Sequence, residues 1–389
     1  MSFGCVRVFK LIMNECKKKI NQYDFCSLTT ALKLFSTIRN IGVIIHGPNE
    51  CGYSVANDEA DVINRETRSG TIGFVEFSEH DVVLGSMKKL QAGIISFYER
   101  YKFEIIVVLK TCISAITGEN YAMIIDQIEK KIDTKIYLIE SEGLKYNTNK
   151  EFFQYLADSF FKKVVKGHVE KDKNIINIII TQDAHRKDFK EITRMLSFLN
   201  ITPHFVPSFA DIESIKNMSK ALCSSYICAT PGTAISKMLD KDFGVREIAI
   251  KPPIGLQNTR NWLLRICEEY SLSNSVVDNV EKTFGEFENK LQKIREVLAG
   301  KSVIITAGSG IVDTYVDLCR EYGLKILVVG CSHSRYDKWN TIPHLEDIEV
   351  YDDIQWYELF ELVQEKKIDF YIGRQNIFIE LICSGTQPI

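Results

Sequence analysis

The stretch "NIGVIIHGPNECGY" (40–53) decides how this chain is read. Its first half is a continuous apolar run of strand length. A strand exposed on one face would alternate apolar and polar residues; a continuous run fits a strand buried on both faces, as in parallel sheets covered by helices. The run stops at Gly47 and Pro48, and Cys51 follows. What comes after such a strand sits at the carboxyl edge of a sheet, where open α/β proteins bind their ligands. Cys51 is therefore either a small core thiol or a ligand.

The same apolar pattern recurs along the chain. "EIIVVLKTC" (104–112), "TKIYLIES" (134–141), "INIIIT" (176–181) and "REIAI" (246–250) read as buried strands, as do "KSVIITAG" (301–308), "LKILVVG" (324–330) and "IDFYIG" (368–373). Amphipathic stretches lie between them. "HRKDFKEITRMLSFLN" (185–200) places Phe189, Ile192, Met195 and Leu196 on one helical face. "DTYVDLCREYG" (313–323) does the same and ends in a helix-stopping glycine. This rhythm predicts an α/β protein: three doubly wound Rossmann-like domains with parallel sheets around a central cleft. The expected divisions are residues 1–168, 169–296 and 297–389. "KKVVKGHVEKDKN" (162–174) reads as a linker, and the charged helical segment "VEKTFGEFENKLQKIREVLAG" (280–300) bridges the second and third units.

Composition narrows the function. The chain has 389 residues, 45% apolar and 25% charged, with a formal net charge of −3, which gives no reason to expect nucleic acid as a partner. Its apolar runs are far too short to span a membrane. "MSFGCVRVFKLIMNECKKK" lacks a leader pattern, so the expected compartment is the cytoplasm. "TAGSGIVDTY" (306–315) sets Gly308 and Gly310 between a strand and a helix. It matches neither nucleotide-binding glycine motif and reads as a structural turn, so the chain shows no nucleotide-hydrolysing motif of its own.

Eleven cysteines remain, with no CxxC pair among them. In a reducing compartment they are core thiols, metal ligands or redox-active groups. Cys51 and Cys112 both end strand runs, and Cys26 opens the helical stretch "SLTTALKLFSTIRN" (27–40). A helix N-terminus favours a thiolate. Three soft ligands from three segments suit an iron–sulfur cluster better than a zinc ribbon, which takes close CxxC pairs.

These residues carry a family resemblance. Cys26 and Cys51 with 24 residues between them, "HGPNECGY" around the second, and the Thr111–Cys112 pair resemble component 1 of nitrogenase and its relatives. "SEHDVVLGSMKKL" (78–90), "KTCISAITGEN" (110–120), "IESEGLK" (139–145) and "KPPIGLQNTRNWL" (251–263) resemble further segments of that family. The resemblance implies that Cys26, Cys51 and Cys112 hold an iron–sulfur cluster, 4Fe-4S or larger, at an interface with an identical or paralogous subunit. It implies electron supply by an ATP-dependent iron protein and reduction of a substrate in the cleft, a tetrapyrrole or other small unsaturated molecule. Gly47 and Pro48 would end the strand sharply and let backbone amides approach the cluster. His46 would be either a donor beside the site or a satisfied core histidine.

"CATPGTAISKMLDKDFG" (228–244) resembles the segment that carries a metal-cofactor cysteine in the family's catalytic subunit. Cys228 is thus a candidate ligand of a second metal cofactor, the alternative being a core or helix-cap thiol. Departures point away from dinitrogen reduction. Glu50 stands where the family usually has glycine, His333 and His344 fall too early to match its cofactor histidine, and the chain is shorter than either nitrogenase subunit. Smaller relatives, among them tetrapyrrole reductases, sulfur-compound reductases and cofactor-assembly scaffolds, fit better. Two other classes are a scaffold that matures a cluster without turnover and a nucleotide- or sugar-binding protein whose cysteines are all core.

Overall fold

Every expected strand run contains a strand in the computed structural model of the chain, which describes residues 26–52, 70–143, 145–167, 169–181, 186–332, 348–352, 354, 356–366, 368–373 and 387–388. The first sheet holds β1 (Ile41–Gly47), β2 (Thr71–Glu76), β3 (Ile105–Lys110) and β4 (Lys135–Glu140) in the order β2-β1-β3-β4. The second holds β5 (Asp172–Ile180), β6 (Thr202–Pro207), β7 (Ala221–Tyr226) and β8 (Arg246–Glu247) in the order β6-β5-β7-β8. The third holds β9 (Ser302–Gly308), β10 (Lys325–Ser332), β11 (Glu349–Asp352), β12 (Phe370–Ile372) and β13 (Gln387–Pro388) in the order β11-β10-β9-β12-β13. Neighbouring strands pair parallel in all three.

Each sheet reverses its winding once. In the first, the chain steps outward from β1 to β2, then crosses back to lay β3 on the other side of β1. Loops leaving the two sides of such a switch point diverge and open a crevice. The crevices lie between β1 and β3, β5 and β7, and β9 and β12.

Five strands escape the apolar-run reading, for physical reasons. β2, β6, β11 and β13 are edge strands and need only partial burial. β6 carries Pro203 and Pro207, which an edge tolerates because it leaves ladder positions unpaired. β7 is internal yet polar. Its Ser224 and Ser225 are buried, and Ser225 Oγ accepts a 2.8 Å bond from the buried Trp262 indole.

Helices cover both faces of the first sheet. Ser27–Phe35 and the helical run from Asn149 pack on one side, Met87–Tyr101 and Tyr121–Glu129 on the other. The first of these cores runs without a break from Leu28, Phe35 and Phe160 to Val206, Ile235 and Leu239 of the second unit. The segment 162–174 is pinned to that unit. Lys162 pairs with Asp242 at 2.8 Å, Lys166 with Glu213 at 2.6 Å, and Lys171 Nζ donates to the Ser219 and Phe243 carbonyls at 2.8 Å. The expected bridging helix spans Asn274–Leu298. Its Glu281 accepts from Arg260 of the second unit, and its Arg295 donates to the Glu321 carbonyl of the third. In the helix Arg186–Ser197, Ile192 and Leu196 are buried, with Phe189 and Met195 packed beside them. No described helix is long and apolar enough to cross a membrane.

Candidate metal centre

β1 and β3 pair in register with His46 opposite Lys110, so their carboxyl ends leave the sheet side by side at the switch point. Pro48 ends β1, and residues 49–52 turn helically, with the Cys51 N–H donating to the Pro48 carbonyl at 3.0 Å. β3 runs into the short helix Cys112–Ile116, capped by Thr111, whose N–H donates to Ser114 Oγ at 2.9 Å. Cys26 is the N-cap of Ser27–Phe35, and its carbonyl accepts from the Thr30 N–H at 3.1 Å. Cys26, expected at a helix start, is an N-cap; Cys51 and Cys112, expected after strand ends, follow β1 and β3 within the first turn of helical backbone.

A fourth segment completes the arrangement. After β4 the chain turns through Ser141, Glu142 and Gly143. The Gly143 N–H donates to Cys112 Sγ at 3.2 Å. A Cβ on Gly143 would lie 3.3 Å from Cys26 Sγ and 3.8 Å from Cys112 Sγ. The approach is close: a Cβ would press on Cys26 Sγ and touch Cys112 Sγ, and a larger side chain would crowd both thiols. Cys51 feels both. Burial first, then the neighbouring Cys26 and Cys112 thiols and Glu50, push its thiol up to about 11. The structure thus brings Cys26, Cys51 and Cys112 together at one crevice.

Three thiols at one crevice are donors of the soft kind that iron–sulfur clusters take. Among the described residues, no three His, Cys, Asp or Glu side chains form a group compact enough for a single metal ion. Iron bound there would take the three groups as thiolates, with release of the thiol protons.

Two neighbours, Gly47 and His46, are placed by the sheet itself. A Cβ on Gly47 would lie 2.4 Å from Thr111 Cγ2, and Thr111 Oγ1 donates to the His46 carbonyl at 3.0 Å. Gly47 is needed to join two strand ends; the glycine whose amide approaches a sulfur is Gly143. His46 is fully buried, and its Nδ1 is 2.6 Å from the Tyr121 hydroxyl on the other face of the sheet. Burial lowers its pKa to about 4. It is a core histidine, neutral at physiological pH, with Nε2 unpartnered among the described atoms.

Cys228 lies apart from this trio. It follows β7 as the N-cap of the helix Ala229–Phe243, at the second sheet's switch point. The turn after β9 packs onto it. The Gly310 carbonyl accepts from the Ala229 N–H at 3.0 Å, and a Cβ on Gly310 would lie 2.8 Å from Cys228 Sγ and 2.7 Å from the Thr230 nitrogen. The Gly308–Gly310 turn is thus a packing element. Cys223, Cys267, Cys319 and Cys331 are buried core thiols. Cys5, Cys16, Cys383, His333 and His344 lie outside the described residues. Sequence reasoning missed Gly143; its signal was a glycine just past the end of β4, the strand that neighbours β3.

The fold and site define a class: an α/β protein of three doubly wound parallel sheets, with a thiol-lined crevice at the first. The sequence profile of the family described as nitrogenase component 1 type oxidoreductase matches residues 26–380, and the chain belongs to that family. The chain is similar to the nitrogenase iron-molybdenum cofactor biosynthesis protein NifE of Clostridium pasteurianum, at 23% identity over 380 residues, covering 95% of this chain and 82% of that protein. It is 21% identical to the nitrogenase molybdenum-iron protein alpha chain of the same organism, covering 85% of this chain and 66% of that one. It is 22% identical to a light-independent protochlorophyllide reductase polypeptide of Cyanophora paradoxa, covering 79% of this chain and 73% of that one. A solved structure titled "Nitrogenase Cp1 at pH 6.5" superposes with a TM-score of 0.78 at 17% identity over 95% of this chain and 84% of the other, a likeness of fold.

Proposed function

We propose that this chain is a component 1-type reductase subunit whose Cys26, Cys51 and Cys112 hold an iron–sulfur cluster. Electrons come from a separate ATP-dependent iron protein, and the substrate is a tetrapyrrole or other small unsaturated molecule in the cleft between the sheets. The observation that carries this reading is Gly143, set between the Cys26 and Cys112 sulfurs with Cys51 within electrostatic reach of both. Bound there, the cluster supplies one-electron transfer at low potential. The residues' own work is to ligate, through three thiols, and to donate one N–H to sulfur from Gly143.

Three thiols leave a cubane one ligand short, so a second subunit, identical or paralogous, completes the site. The surface beside Cys112 suits a partner. Val83, Leu84 and Ile116 are 82%, 81% and 83% exposed, and their segments are tied together by Ser86 Oγ donating to Glu119 at 2.5 Å. Exposed apolar side chains gathered beside a site mark a surface that another chain covers. The glycine turn considered for phosphate is packed against Cys228 and Thr230, which in this reading leaves ATP to the iron protein. An oxygen-sensitive centre of this kind belongs in the cytoplasm.

The similarity to NifE over 95% of the chain favours a second reading, a scaffold that holds or matures a metal cluster without turnover. Both readings use the same cysteines. Anaerobic protein given its iron protein, ATP and candidate tetrapyrroles should reduce one of them. Failure of turnover, with iron and sulfide passing instead to an apo-protein, would establish the scaffold.

A further inference from the structure

Lys110 and Glu142 form an ion pair at the edge of the cysteine crevice. Lys110 Nζ stands 3.1 Å from Glu142 Oε1, with the side chains 16% and 7% exposed. Lys110 ends β3 two residues before Cys112; Glu142 directly precedes Gly143. Three successive residues of the turn after β4 are thereby tied to the end of β3 and its continuation. Ser141 Oγ donates to the Lys110 carbonyl at 2.9 Å, the Glu142 carboxylate meets Lys110 Nζ, and the Gly143 N–H meets Cys112 Sγ. Glu142 Oε2 has no partner among the described residues, and Lys110 Nζ lies 5.6 Å from the Tyr121 ring centroid. Removing an ion pair from water is expensive, and a pair left half-satisfied more so. What this pair provides locally is geometry: it holds the turn down at the residue next to the N–H···S bond.

We propose that the Lys110–Glu142 pair is a latch that positions the Gly143 N–H on the Cys112 sulfur and so sets the reduction potential of the group the cysteines hold; the second half rests on the function proposed above. An N–H donated to a ligand sulfur stabilises the more negative, reduced state and raises the potential. Losing the latch therefore lowers it.

A latch and a mere pair of charges make opposite predictions for one variant. Lys110→Met leaves an uncompensated anion, so both accounts lower the potential. Glu142→Gln leaves an uncompensated cation. Charge alone then raises the potential, whereas a freed turn lowers it.

The test has two arms. In the apo-protein, hydrogen exchange of the peptide spanning 141–145 should be at least about tenfold faster in Lys110→Met and in Glu142→Gln, with Lys110→Arg close to wild type. Ser141→Ala, a milder change that keeps the fold, should give a smaller increase. In the anaerobically loaded protein, redox titration followed by electron paramagnetic resonance should show both of the first two variants shifted downward. Unchanged exchange in folded Lys110→Met and Glu142→Gln, or an upward shift for Glu142→Gln, overturns the latch. If wild-type protein binds no cluster, the proposed function fails, and the exchange arm still judges the positioning role.

Discussion

Cys112 and Cys228 follow corresponding strands. β3 and β7 each lie just across the switch point of their sheets, and each cysteine stands at the start of a helix. At Cys112 the facing glycine comes from the same sheet, donates its N–H to the sulfur, and by lacking a side chain lets a second thiol approach. At Cys228 the facing glycine comes from the third sheet. It accepts a backbone bond from the helix and packs against the sulfur, with its Cβ position 2.8 Å away. Topology makes both places available, and the neighbouring turn decides their use. In the first crevice three thiols gather beside exposed apolar surface; in the second, one thiol helps join two units.

The contrast breaks most visibly in iron content. Cys26→Ala, Cys51→Ala and Cys112→Ala should each lose most of the iron of anaerobically purified protein, while Cys228→Ser keeps it. Iron and sulfide analysis decides this, and full retention in the first three would erase the difference between the crevices.

The glycines sharpen it. Gly143→Val places branched carbon between the Cys26 and Cys112 sulfurs and should prevent most iron loading in a folded protein. Gly310→Ala meets the Thr230 backbone instead, so it should cost about 1–3 kcal/mol of stability by denaturant titration and leave the iron in place. Loss of iron in both variants alike would show that the second crevice also serves the cluster.

The opposite face of the first sheet supplies a pH test. Burial holds His46 near 4, below its ordinary 6.5, so the folded protein stays neutral there while the unfolded chain takes up a proton. Its contribution is present above about pH 6.5 and is lost as pH falls through about 4, amounting to about 3 kcal/mol. Apo-protein should lose stability across that window, and His46→Gln should flatten the slope without changing iron content. An unchanged slope would show that His46 is not held neutral. The smallest effect is expected at the second crevice, where Cys228→Ser should lower stability by about 1–2 kcal/mol. A Cys228→Ser protein that keeps its iron but loses all turnover would instead mark Cys228 as a ligand of a second metal cofactor.

Much of this was legible in the sequence. The apolar runs around β1 and β3 showed parallel strands, and the cysteines at their ends fell at the crevice because a sheet that reverses its winding must open there. β7 stayed hidden because it buries the polar residues Ser224 and Ser225, and the partner of Ser225, Trp262, lies 37 residues away in sequence. Gly143 and Gly47 show the limit most clearly. Both are glycines near strand ends, and only the fold tells which one faces a sulfur and which one faces Thr111. The Lys110–Glu142 pair joins residues 32 apart, and nothing local announces it.

Native mass spectrometry of anaerobically reconstituted protein tests the central claim most directly. The expected result is a dimer, with an identical or paralogous subunit, carrying the mass of an iron–sulfur cluster that disappears in Cys51→Ala. A folded protein that takes up no iron, or a wild type and Cys51→Ala that carry the same iron, would contradict it.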